Sequence, residues 1–151
     1  MALTCPLCEG AGGDTVAHDA RLRVVLPEEP LYPGFTRVIW QTHVAEMTDL
    51  NETDRAHLLR VLMAVETAQR EAFQPDKINL ASLGNVVPHL HWHVIARWRD
   101  DTHFPASVWS APAERDGAPA RRRIDSARER VPAYRGLLER RLRECGLSDF
   151  G

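Results

Sequence analysis

The chain has 151 residues, 44% of them apolar and 26% charged, with a formal charge of −2. That is the make-up of a single globular domain able to bury a core, and the near-neutral balance argues against a protein-wide surface for nucleic acid or membranes. No apolar run has membrane-spanning length, the opening MALTCPLCEGAGG is not a secretory leader, and three cysteines do not make a disulfide framework, so a reducing cytoplasm is the expected setting.

In chain order, the first strand expected is RLRVVL (Arg21 to Leu26), ended by PEEP; LYPG (Leu31 to Gly34) is a turn, and FTRVIW (Phe35 to Trp40) is rich in β-branched and aromatic residues. The two strands read as an antiparallel hairpin with a wide connection. From Asn51 to Phe73 the period becomes helical, with Leu58, Leu62, Val65, Ala68 and Ala72 on one face. Asn51 is the expected N-cap, Glu52 and Asp54 fall in the first turn, and Pro75 lies just past the end. KINLASLGNVV (Lys77 to Val87) reads as a strand entering a turn at Gly84-Asn85, and HLHWHVIARW (His89 to Trp98) as the next strand. A Pro-, Ala- and charge-rich arm follows from Arg99 to Arg123, then a short helix after Pro132 with Leu138 and Leu142 on one face and Gly146 at its end.

The segment VPHLHWHVIAR carries most of the chemistry. Leu90, Trp92, Val94 and Ala96 alternate with His89, His91 and His93, so a strand would bury the apolar set and present the three imidazoles on the other face. One metal ion cannot take all three, because His89 and His93 would lie about 13 Å apart along a strand, whereas zinc draws its histidine ligands to about 2.0–2.1 Å; two of the three could still share one. A row of imidazoles suits a multi-oxygen anion with a nucleophile in the middle. Neutral imidazole attacks phosphorus without first losing a proton, and the phosphorus–nitrogen bond hydrolyses readily. The neighbouring imidazoles can hold non-bridging oxygens and protonate a leaving group. The sequence has no G-x-x-x-x-G-K-[ST] phosphate loop. On spacing alone, Cys5-x-x-Cys8 is half a ligand set, and both two plain cysteines and a tetrahedral Cys₂His₂ site remain open. His18, His57 and His103 have no patterned neighbours and are expected at the surface. Trp98, Phe104 and Trp109 are candidates for either a pocket wall or the core.

HLHWHVI resembles the H-φ-H-φ-H-φ-φ signature of the histidine triad (HIT) family, and YPGFTRVIWQTHVAEMTDL, the helix after it and INLASLGNVVPHLHWHVIAR follow in the family's order and spacing, from about Asp19 to Trp98. The resemblance implies an α+β fold, a five-stranded antiparallel sheet with a long helix and a C-terminal helix, usually paired as a homodimer. It divides the chain into a HIT domain with its Cys-x-x-Cys segment over 1–104 and an arm and helix over 105–151. It implies a hydrolase that cleaves a nucleotide phosphoanhydride or phosphoramidate through a covalent nucleotidyl-histidine, with no organic cofactor. By that resemblance His91 is the nucleophile, His93 contacts the phosphate and His89 positions its neighbours. Asn85 stands near the leaving-group oxygen and Asn79 beside the phosphates. It also implies a structural zinc held by Cys5, Cys8, His43 and His89. The chain departs from the family at Phe35, where many relatives place a histidine, and at Pro27, where they place a residue that bonds the ribose; neither side chain can hydrogen-bond. Those departures favour the alternative expectation, a zinc-stabilised nucleotide-binding or interaction protein with little activity.

Overall fold

The computed structural model describes residues 4–151. A helical turn, α1 (Pro6–Glu9), leads into β1 (Asp14–His18), β2 (Leu22–Leu26) and β3 (Thr36–Trp40); after a 3-10 turn come α2 (Glu52–Phe73), β4 (Lys77–Ala81), β5 (His91–Arg97), α3 (Ala118–Glu144) and β6 (Asp149–Phe150). The strands form one antiparallel sheet in the order β4-β5-β3-β2-β1-β6. Five of them make the expected sheet, and the two-residue β6 adds a sixth at the β1 edge.

The expected hairpin is β2 and β3, paired from Leu22↔Trp40 to Val25↔Arg37. Gly34 turns the chain into β3 at φ +87°, and a Cβ there would lie 2.4 Å from the Phe73 ring, so this turn needs glycine for its backbone and for its neighbour. Helix α2 begins as its periodicity indicates: the Asn51 side chain accepts from the Asp54 amide at 2.9 Å. Its buried face, Leu58, Val61, Leu62, Val65, Ala68 and Phe73, meets Val24, Val38, Val94 and Ala96 of the sheet in the main core. Gln69 is buried within that face, and its amide donates to the carbonyls of Gly34 at 3.0 Å and Val94 at 2.8 Å.

The C-terminal region differs from expectation. Helix α3 is 27 residues long and runs straight through Pro132, starting 14 residues earlier than that proline suggests. A proline removes one intrahelical hydrogen bond, and here burial sustains the helix across it: Ala127, Tyr134, Leu138 and Leu142 all sit in the main core beside α2. The Tyr134 hydroxyl reaches Thr36 Oγ1 at 2.5 Å, tying α3 to β3.

Candidate functional site

Both helices cover one face of the sheet, and the opposite face carries the site. Registers place Arg23, Ile39 and His91 in one row and Arg37 and His93 in the next, so these side chains share that face. The strand that bears the histidines starts at His91, not at His89. Pro88 offers no amide, and the His89 amide donates back to the Val87 carbonyl at 2.8 Å, so the backbone bends at His89 before β5 begins. His91 and His93 therefore stand side by side, ring centroids 4.9 Å apart, while His89 turns to a different task.

His89 is fully buried. Its Nε2 lies 2.6 Å from the Trp40 carbonyl oxygen, which makes Nε2 the protonated nitrogen and leaves Nδ1 a bare lone pair. That Nδ1 is 3.4 Å from both Cys5 Sγ and Cys8 Sγ, and His43 Nδ1 is 3.3 Å from Cys8 Sγ. The turn of α1 brings the two cysteines to one side, with the Cys8 and Glu9 amides donating to the Cys5 carbonyl. All four ligand atoms lie within 4.8 Å of one another and could hold a metal ion such as zinc. A tetrahedron with zinc's usual bond lengths has sulfur–nitrogen edges of about 3.5 Å, close to the observed separations. The carbonyl behind His89 is the outer-shell partner that metal-bound histidines ordinarily have. Arg23 braces the cysteine turn from beneath, donating to the carbonyls of Leu7 at 2.6 Å, Gly10 at 3.1 Å and Ala11 at 2.8 Å.

The His91 ring is oriented by the same bend. Its Nδ1 is 2.5 Å from the His89 carbonyl oxygen, so Nδ1 carries the proton and Nε2 presents an unshared pair. Burial pulls the His91 pKa down, with the charge of Arg37 adding to the effect and the hydrogen bond to His89 opposing it. His93 is lowered further, to about 3, by burial and then by the charges of His91 and Arg37. Both rings are thus neutral near pH 7. His93 Nδ1 is buried without a partner, and its ring meets Phe35 edge-on at 5.4 Å and Trp109 at 5.1 Å.

Asn85, His91, His93 and Trp109 line one cleft of about 330 Å³ together with Leu83, Gly84, Val86 and Val87. A larger hollow of about 490 Å³, between α2 and β4, has no histidine or cysteine in its wall. Asn79 lies outside the cleft: its amide oxygen accepts from Arg97 at 2.8 Å. Arg97 is in turn buried against Asp101, with nitrogen–oxygen distances of 2.7 and 3.1 Å. Asp101 also accepts from the Tyr32 hydroxyl and from the amides of Trp98, His103 and Phe104, and so folds the start of the arm that delivers Trp109.

Two histidines expected at the surface are buried. His57 Nε2 is 2.8 Å from Asp19, and His103 Nδ1 is 2.6 Å from the Tyr32 hydroxyl. Their partners come from distant elements, which local patterning cannot register. His18 is exposed as expected. Arg37 carries no sequence signal of its own, and Trp109 is placed by the arm.

The sheet with its two helices and the His-x-His-x-His run define the histidine triad class of α+β proteins. A model of the HIT domain matches residues 11–100, and the chain belongs to the HIT domain family. It is 28% identical over 107 residues to an uncharacterized HIT-like protein of Saccharolobus solfataricus, covering 67% of this chain and 77% of that protein. An AP-4-A phosphorylase of Mycobacterium tuberculosis is 28% identical over 98 residues; the match covers 61% of this chain and only half the length of the phosphorylase. Among solved structures, a histidine triad protein from Bradyrhizobium japonicum superposes with a TM-score of 0.61 at 30% identity, covering 86% of this chain and 97% of the other. One from Marinobacter aquaeolei gives 0.59 at 25% identity, covering 80% and 90%. No described helix is long and apolar enough to cross a membrane.

Proposed function

We propose that this chain hydrolyses a nucleotide phosphoanhydride or phosphoramidate through a covalent intermediate on His91. The observation that carries the reading is the 2.5 Å contact from His91 Nδ1 to the His89 carbonyl, which leaves Nε2 as the free nucleophile at the cleft. Nε2 attacks phosphorus, the bond to the leaving group breaks, and water then displaces the histidine to give the nucleoside monophosphate. His93, neutral and with a spare ring nitrogen, bonds a phosphate oxygen, and Asn85 donates its amide on the leaving-group side. His89 acts through its carbonyl and is a positioning residue. Nucleotide ligands fit the family, and the phosphorylase among its relatives supports phosphoanhydride chemistry.

In this reading Cys5, Cys8, His43 and His89 hold a structural zinc, which anchors the N-terminal turn and stiffens the bend that orients His91. The chain works as a homodimer in the cytoplasm; sedimentation at micromolar concentration tests the pairing. The test of the chemistry is intact mass after brief mixing with adenosine phosphoramidate or a dinucleoside polyphosphate, without acid quench. A nucleotidyl adduct on His91, absent from His91→Ala, is expected. A second reading, a nucleotide-binding protein with little turnover, is favoured by Phe35, whose ring fills the ground beside His93 with carbon. Binding without adduct or product in the wild type would select it.

A further inference from the structure

Three arginines occupy the site face of the sheet, and two have complete sets of partners. Arg97 is clamped by Asp101, Asn79 and the Ala106 carbonyl. Arg23 is spent on the cysteine turn and on Gln41. Arg37 is different. It stands directly across from His93 in the β3–β5 register, and its hydrogen bond within the chain is from Nη1 to the Gly12 carbonyl at 3.1 Å. Its Nε is buried and unpartnered. Among the described residues no carboxylate forms an ion pair with it. Arg37 is half-buried, and the one carboxylate whose charge reaches it, Glu29, makes no ion pair with it. A partly desolvated guanidinium with an unsatisfied N–H is costly, and an anionic ligand relieves that cost.

We infer that Arg37 binds an oxyanion of the substrate, so that the molecule taken here carries a second anionic group on the β3 side of the histidines. This extends the proposed function, since it assigns the attacked phosphorus to His91. Arg37 is the β3 neighbour of His93, and its charge acts on both His91 and His93. A substrate held over the pair therefore lies within reach of the guanidinium's field, and a second anionic group on it is drawn to Arg37. A planar guanidinium with a free N–H suits a phosphate or carboxylate, and charge-assisted bonds of this kind are the strong ones. Holding Gly12 alone would need one donor and no charge.

The test is titration calorimetry of the intact, zinc-replete chain with orthophosphate and with pyrophosphate, at two salt concentrations. Zinc content is checked after each run because pyrophosphate binds metals. The wild type is expected to prefer pyrophosphate by about tenfold or more, the worth of one charge-assisted contact. Arg37→Met is expected to bring the two ligands within about threefold, and Arg37→Lys to keep part of the preference. If Arg37→Met does not fold, Arg37→Gln against Arg37→Lys makes the same comparison, since Gln keeps an N–H donor and removes the charge. An unchanged preference in the neutral variant, or none in the wild type, overturns the inference. His91→Ala separates it from the hydrolase reading: it should lose turnover and keep the pyrophosphate preference. Absence of turnover in the wild type, with a preference that still follows Arg37, would sink only the hydrolase.

Discussion

His91 Nδ1 lies 2.5 Å from the carbonyl oxygen of His89, and the ring of that same His89 faces Cys5 and Cys8 at 3.4 Å. One residue therefore serves two sites, its side chain the four-ligand cluster and its backbone the neighbouring imidazole. The consequence is mechanical: whatever loosens the cluster loosens the tautomer and direction of His91.

Removing a ligand should show this. Cys8→Ser is expected to abolish stoichiometric zinc in the purified chain and to lower the melting midpoint by about 5–15 °C, the effect of losing a few kcal/mol in a chain of this size. Turnover should fall with it at temperatures where the variant is still folded. Metal analysis, a thermal melt and a rate measurement on the same sample check it; unaltered zinc content and rate would break the link between the cluster and His91.

Trp109 is half exposed yet packs edge-on to His93 at 5.1 Å, so it is a wall of the cleft more than a part of the core. Trp109→Ala should weaken nucleotide binding by about 5- to 100-fold, the range for one lost stacking contact, and leave the melting midpoint within about 2 °C. Equilibrium binding of a nucleoside monophosphate gives the answer. An unchanged affinity would remove Trp109 from the ligand site.

Asp101 and Arg97 are both buried. Asp101→Ala leaves the guanidinium without its counter-charge and takes the acceptor from the Trp98, His103 and Phe104 amides. A destabilisation of about 3–5 kcal/mol is expected, in line with other buried pairs broken on one side. Because the arm is folded by these bonds, proteolysis between Arg99 and Gly117 should accelerate. Denaturant unfolding and limited digestion read the two effects separately.

Acid stability has an identifiable contributor in Asp19. Burial raises this carboxyl, but hydrogen bonds from the Leu22 and Arg21 amides and from His57 more than offset it, and the net pKa falls below the ordinary 3.8. A carboxylate with a depressed folded pKa contributes stability that is present above its unfolded value and lost as pH falls through the folded one. Between about pH 5 and 2, Asp19→Asn should therefore unfold with a shallower dependence on pH than the wild type, from a lower starting stability. Parallel slopes in a urea series at stepped pH would contradict this.

Local periodicity was enough to determine α2, its Asn51 cap, the β2–β3 hairpin and the apolar face of β5, because each is decided by spacing within one element. The alternation of histidines pointed to an imidazole-lined face, and His91 and His93 do share one. The Cys-x-x-Cys spacing by itself left the metal question open; His43 and His89 joined it through family resemblance, and the fold brings all four together across more than 80 residues of chain. The rest belonged to tertiary structure. The bend at His89, the burial of His57 and His103, the run of α3 through Pro132 and the placing of Trp109 each depend on a partner far away in sequence. Arg37 is the clearest case: in the sequence it is one arginine among many, and only the register that sets it beside His93 and its lack of an ion-pair partner among the described residues single it out. Periodicity is a property of neighbours along the chain, whereas the worth of a buried charge or imidazole is set by what the fold places against it.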